Sequence, residues 1–196
     1  MADRKLFFIT HAEVEIDPNV EVTDWPLSTR GQARHALFSQ RAEMSTVRTI
    51  YSSAERKARD GAEILAATLN LSTHVEEKLH ENDRSATGYL PREEFESVAD
   101  AFFERAEESV RGWERAVDAQ IRIVEACQRI AADHQVGDIA IVAHGGVGAL
   151  LLSHLKGIPI SRAYDQPGHG GGNYLVVKLP KWTLEREWRD IAPMSV

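Results

Sequence analysis

Two histidines stand in the same setting at opposite ends of the chain. His11 follows the apolar run Leu6 to Ile9 and ends a short strand-like segment, Leu6-Phe-Phe-Ile-Thr10. His144 follows Ile139-Ala-Ile-Val-Ala143 and is itself followed by Gly145-Gly146. In open α/β sheets ligands bind outside the carboxyl ends of the strands. An imidazole at each of two such ends could therefore serve as nucleophile, proton carrier or hydrogen-bond donor at one rim. The plainer reading is a hydrogen-bonded histidine at a strand end, and the repeat of the pattern weighs against it.

Three further places could carry charge to that rim. Lys57 falls in the first turn of a helix-like segment, where a cation opposes the helix dipole, so it reads as answering to an anion. The stretch Leu79-His-Glu-Asn-Asp-Arg-Ser-Ala-Thr-Gly88 has neither helical nor strand periodicity and holds Glu81, Asp83 and Arg84. Loops of that kind carry function more often than packing. The backbone N–H groups of Gly145-Gly146, at the start of a helix over 147–156, offer an anion site. Zinc bound by His11, Glu81 and His144 is conceivable, but no compact ligand spacing such as His-Glu-x-x-His is present.

The elements that must position these groups follow from periodicity. Strands are expected at 6–9, 47–51, 73–78, 139–143, 173–179 and, as an edge, 182–188. Helices are expected at 29–43, capped by Ser28, then at 54–69, 91–105, 113–133 and 147–156. The fourth should face the core with Trp113, Val117, Ile121, Val124, Cys127 and Ala131. Gly31, in a first helical turn, is unfavourable by about 1 kcal/mol against Ala and implies close approach of a neighbouring loop. Strands alternating with helices predict a three-layer α/β/α sandwich on a largely parallel sheet. The cluster Pro167-Gly-His-Gly-Gly-Gly172 does not open a helix after a strand, so it is no nucleotide fingerprint; His169 within it reads as a turn residue.

Composition narrows the function. A chain of 196 residues with 43% apolar and 27% charged residues reads as one globular domain with a substantial core. No apolar run is long enough to span a bilayer, and the N-terminus lacks a secretory signal's apolar core. Cys127 is the only cysteine, which excludes an intramolecular disulfide and a cysteine-based metal site and fits a cytoplasmic setting. It reads as a small core residue. A net charge of −7 argues against general affinity for nucleic acid or anionic membrane.

Taken in order, the motifs resemble those of the histidine phosphatase superfamily, the phosphoglycerate-mutase-like fold. Its strand-Arg-His-Gly element is similar to Ile9-Thr10-His11-Ala12, and its Pro-Leu-Thr-x-x-Gly element to Pro26-Leu-Ser-Thr-Arg-Gly31. Its Ser-Pro-x-x-Arg-Ala helix start is similar to Ser53-Ala-Glu-Arg-Lys-Ala58. Leu79-His-Glu81 and Val142-Ala-His-Gly-Gly146 complete the set. The resemblance implies a metal-independent phosphohistidine mechanism without cofactor. His11 would be the nucleophile, His144 would hold phosphoryl oxygens, and Glu81 would protonate the leaving oxygen and then activate water.

The departures bear on activity. Thr10 and Lys57 stand where the family has arginines, and Ala12 stands where it has glycine. Lysine does not reproduce arginine's bidentate fork, and losing two such clamps could slow catalysis by roughly 10² to 10⁴-fold at about 1.5–3 kcal/mol each. Arg84 is a candidate replacement, with Lys57 supplying a point charge and Thr10 and Gly145 further phosphate contacts. The expectation is a phosphatase acting on a small phosphomonoester or a phosphoprotein. A non-catalytic phospho-ligand-binding protein is the alternative, and a mutase is less expected.

Overall fold

A computed structural model describes residues 4–168 and 170–192 of the chain; His169 lies outside the described residues. The sheet has six strands: β1 (Arg4–Thr10), β2 (Val47–Ser52), β3 (Thr73–Val75), β4 (Asp138–Ala143), β5 (Asn173–Leu179) and β6 (Thr183–Asp190). Their spatial order is β3-β2-β4-β1-β5-β6. The first four are mutually parallel, while β5 and β6 run antiparallel and close one side.

Strand alternation sorts the core into two layers. Leu6, Phe8, Ile139, Ile141, Leu175 and Val177 face one side. Phe7, Ile9, Ala140, Val142, Tyr174 and Val176 face the other. Because both faces are covered, these strands read as continuous apolar runs rather than alternating ones. Helices α1 (Thr29–Ser39) and α2 (Arg56–Leu69) cover the second face, bringing Phe38, Ala58, Ala62 and Leu65. Helices α3 (Arg92–Glu104), α4 (Ala116–Asp133) and α5 (Gly145–Lys156) cover the first, bringing Phe102, Ile123, Cys127 and Leu150. This is the α/β/α sandwich the periodicity predicts.

Differences from the predicted elements are local. Helix α1 stops at Ser39, whose hydroxyl bonds back to the Ala36 carbonyl, and a 3₁₀ turn over Ala42–Thr46 replaces its predicted end. Helix α4 begins at Ala116, so Trp113 packs from the turn before it. Ile121 is 56% exposed, so the predicted stripe is displaced there in favour of Ala119, Ile123, Ala126 and Ile130. Cys127 is fully buried, and burial alone pushes its thiol up to about 12, which makes it inert packing. Gly31 performs the predicted function: a Cβ there would collide with the Glu13 carbonyl. Among the described residues no helix is long and apolar enough to cross a membrane.

Candidate active site

The two histidines meet because β1 and β4 are adjacent and parallel in matched register, Thr10 opposite Ala143. The ladder continues one step beyond the strands: His11 N donates to the Ala143 carbonyl at 3.0 Å. The imidazoles then lie edge to face, ring centroids 5.3 Å apart and planes at 67°. His11 is partly exposed at the rim and His144 is fully buried.

Hydrogen bonding fixes the state of the His11 ring. Nδ1 lies 2.8 Å from the Ala12 carbonyl oxygen, which can only accept. Nδ1 therefore carries the proton, and Nε2 keeps a free lone pair for attack. Burial lowers the His11 pKa well below the usual imidazole value, and His144 and Lys57 add to the effect. His144 is also lowered, by burial first, despite the nearby carboxylates of Glu55 and Glu81. Both rings are thus neutral near pH 7. Neither ring nitrogen of His144 has a hydrogen-bond partner among the described residues. A fully buried ring without hydrogen-bond partners is unusual and points to a role other than packing.

Glu81 reaches the same rim from the loop after β3. Its carboxylate accepts from Gly146 N at 3.0 Å and Val147 N at 2.9 Å. The N-terminal N–H groups of α5, expected to await an external anion, are thus held by Glu81 itself. Burial raises the Glu81 pKa, but Arg84, His144 and the Gly146 amide outweigh it and leave the carboxyl below its ordinary value. Arg84 stacks over the rings of Phe95, at 5.1 Å, and Trp113, at 5.6 Å. It forms no ion pair among the described residues and flanks Glu81 from that aromatic shelf.

The two positions of the missing arginines are already engaged. Thr10 is fully buried; its hydroxyl donates to Gln166 Oε1 at 2.6 Å and accepts from Asn173 N at 2.9 Å. Gln166 also lies over Gly145, filling the space a Cβ would occupy there. Thr10 and Gly145, expected to touch phosphate, are therefore both covered by Gln166, which replaces bulk and polarity with one neutral amide. Lys57 is 3% exposed. Its ammonium donates to the Val22 carbonyl at 2.8 Å and pairs closely with Glu55. It is not the free point charge expected from sequence.

Glu55 was not singled out from the sequence. It precedes α2 and is 8% exposed. One oxygen pairs with Lys57; the other accepts from Glu81 N at 3.0 Å and lies 3.4 Å from His144 Nε2. Burial raises its pKa, but His144, Lys57 and the hydrogen bonds overcome this and hold it ionised far below the ordinary carboxylate range. An acid next to a helix start ordinarily reads as a dipole partner, so no sequence signal separated Glu55 from that role. Among the described residues no group of three His, Cys, Asp or Glu side chains is arranged to hold a metal.

Two neutral imidazoles, one with a free Nε2, converge at strand ends beside a carboxylate and a helix start, an arrangement fit for group transfer through histidine. The sequence from residue 6 to 186 matches the model of the histidine phosphatase superfamily, branch 1, and the chain belongs to that family. Solved structures agree in fold. Bacillus stearothermophilus YhfR superposes with a TM-score of 0.78 at 23% identity, covering 93% of this chain and 95% of its own. The mycobacterial glucosyl-3-phosphoglycerate phosphatase gives 0.74 at 21% identity, covering 98% and 100%. An alpha-ribazole phosphatase from Shigella flexneri gives 0.71 at 17%, covering 98% and 99%. A comparison with curated proteins finds no match.

Proposed function

We propose that the protein is a phosphatase that hydrolyses a small phosphomonoester through a phosphohistidine on His11. The observation that carries this reading is the His11 ring, protonated at Nδ1 toward the Ala12 carbonyl with Nε2 free beside the unpartnered His144. Nε2 attacks phosphorus, the P–N bond forms as the bond to the leaving oxygen breaks, and that oxygen takes a proton that Glu81 has first drawn from solvent. In the second step Glu81 takes a proton from water, the resulting hydroxide attacks phosphorus, and the P–N bond breaks to release phosphate. His144 donates an N–H to a phosphoryl oxygen in both steps, supported by Arg84. The names of two similar structures, a glucosyl-3-phosphoglycerate phosphatase and an alpha-ribazole phosphatase, support a small-molecule substrate over a phosphoprotein.

A second reading is favoured by one observation, the buried Glu55–Lys57 pair beside His144. A site that neutralises its own lysine suits a binding protein that retained the fold without turnover. A screen of phosphomonoesters without added metal, beside a His11→Ala control, separates the two. Turnover in the wild type with acid-labile phosphate trapped on His11 is expected. Tight phosphate binding with no turnover of any ester would favour the binding protein.

A further inference from the structure

We propose that Glu55 determines what the phosphoryl pocket accepts: it admits a phosphoryl group carrying one negative charge, whose remaining P–OH donates a hydrogen bond to the Glu55 carboxylate. This rests on the phosphoryl-site reading of His11 and His144. Glu55 stands among the groups that would bind phosphoryl oxygens there. It takes the ammonium of Lys57 and the amide of Glu81, and its Oε1 lies 3.4 Å from His144 Nε2. His144 is fully buried and, among the described residues, has no hydrogen-bond partner on either nitrogen, which leaves its N–H to serve a phosphoryl oxygen beside Glu55.

The charges around that position decide which ligand. From the end of β1 comes His11 and from the end of β4 His144, both neutral. From the start of α2 come Lys57 and Glu55, which cancel. From the loop after β3 comes Glu81, ionised, with Arg84 behind it. The enclosure as a whole offers a phosphate dianion no net positive charge, and it sets a carboxylate against one of the dianion's oxygens. Two like charges in contact in a poorly solvated site favour protonation of one of them. Glu55 is held ionised by Lys57, so the proton stays on the phosphoryl oxygen and forms a short charge-assisted O–H···O⁻ bond.

The test is binding of inorganic phosphate to the full chain, read by calorimetry and by the ³¹P shift of the bound ion from pH 5.5 to 8. For the wild type, affinity should fall at least tenfold across that range, with bound phosphate keeping its proton to higher pH than free phosphate. For Glu55→Gln the two proteins should agree within about threefold at pH 5.5, while the variant binds at least tenfold more tightly at pH 8 and its bound phosphate loses the raised ionisation. Because that change leaves Lys57 without its partner, Glu55→Gln/Lys57→Gln is measured too, and it should also lose the preference for the protonated ion. Identical affinities and identical bound ionisation in wild type and Glu55→Gln, or a preference retained by the double variant, overturn the assignment of Glu55 alone. Absence of phosphate binding to all three proteins at every pH overturns the phosphoryl site itself, and the proposal with it.

Discussion

The carboxylate of Glu81 holds the amide of Gly146 at 3.0 Å, joining the loop after β3 to the first turn of α5. That bond makes one side chain both a candidate proton carrier and a helix cap. In Glu81→Gln the amide side chain can accept from one of the two N–H groups but sets its own NH₂ against the other. Stability should fall by about 1–2 kcal/mol from the lost cap and dipole partner, measured by urea denaturation. Hydrolysis of an alkyl phosphate should drop far more than that of a nitrophenyl phosphate, whose leaving group needs no proton. Equal losses on both esters would remove Glu81 from proton transfer and leave it a cap.

Gly146→Ala tests the same contact from the opposite side. A Cβ at Gly146 would lie 2.7 Å from Glu81 Oε1, too close for both to stay. Helix propensity favours alanine by about 1 kcal/mol, so global stability should change little, while the displaced carboxylate loses its aim. The expected outcome is a fall in kcat of tenfold or more with a melting temperature within a few degrees of wild type.

Arg84 lies over Phe95 and Trp113 and, among the described residues, forms no ion pair. If it reaches the phosphoryl group, Arg84→Ala should weaken vanadate inhibition by about 10 to 100-fold, the size of one charged hydrogen bond. Unchanged inhibition would make its role the aromatic stack alone. Lys57→Met should behave differently. It leaves Glu55 buried without its ammonium, which costs about 3–5 kcal/mol, so its first effect should appear in the melting curve.

His35 gives the fold an acid limit close to the nucleophile. Its Nε2 accepts from the Ala12 amide at 3.2 Å, and burial, with Arg34 beside it, lowers its pKa to about 3. The folded state thus refuses a proton that the unfolded chain takes up below its ordinary value of 6.5. This contribution is complete above pH 6.5 and is lost as pH falls toward 3, at up to about 1.4 kcal/mol per pH unit. Urea midpoints measured from pH 7 to 4 should fall in the wild type. They should fall less steeply in His35→Gln, which is less stable at pH 7 but has one proton fewer to gain. Parallel slopes would show that other groups set the acid limit.

Much of this architecture was legible because the strands are buried on both faces and so announce themselves as apolar runs. The two that end in histidine mark the rim directly. What could not be read was the identity of each side chain's partner. Lys57 looked free because its sequence neighbours give no hint that the Val22 carbonyl arrives from another loop to accept its hydrogen bond. Glu55 looked like a helix-start acid, and Gln166 lay in a polar stretch with no motif around it. Ile121 was misassigned because Trp113, which lies before α4, was used to set the phase of a stripe whose later members Val124, Cys127 and Ala131 are buried as read. In each case a contact across the fold overrode a correct local signal.

The position of β4 also bears on how the chain must be made. Its ladder with β1 is set at the first turn by Lys5 N donating to Asp138 Oδ1, 133 residues further on, and β2 likewise pairs with β4 rather than with β1. On a ribosome adding about 5–20 residues per second, β1 waits roughly 7 to 27 seconds for the strand that completes its sheet. During that interval Leu6, Phe7, Phe8 and Ile9, each at most 2% exposed in the finished fold, have neither neighbour. The nascent chain thus carries an unpaired apolar edge for most of its synthesis, and its yield should respond to translation speed and to chaperone supply more than its final stability would indicate.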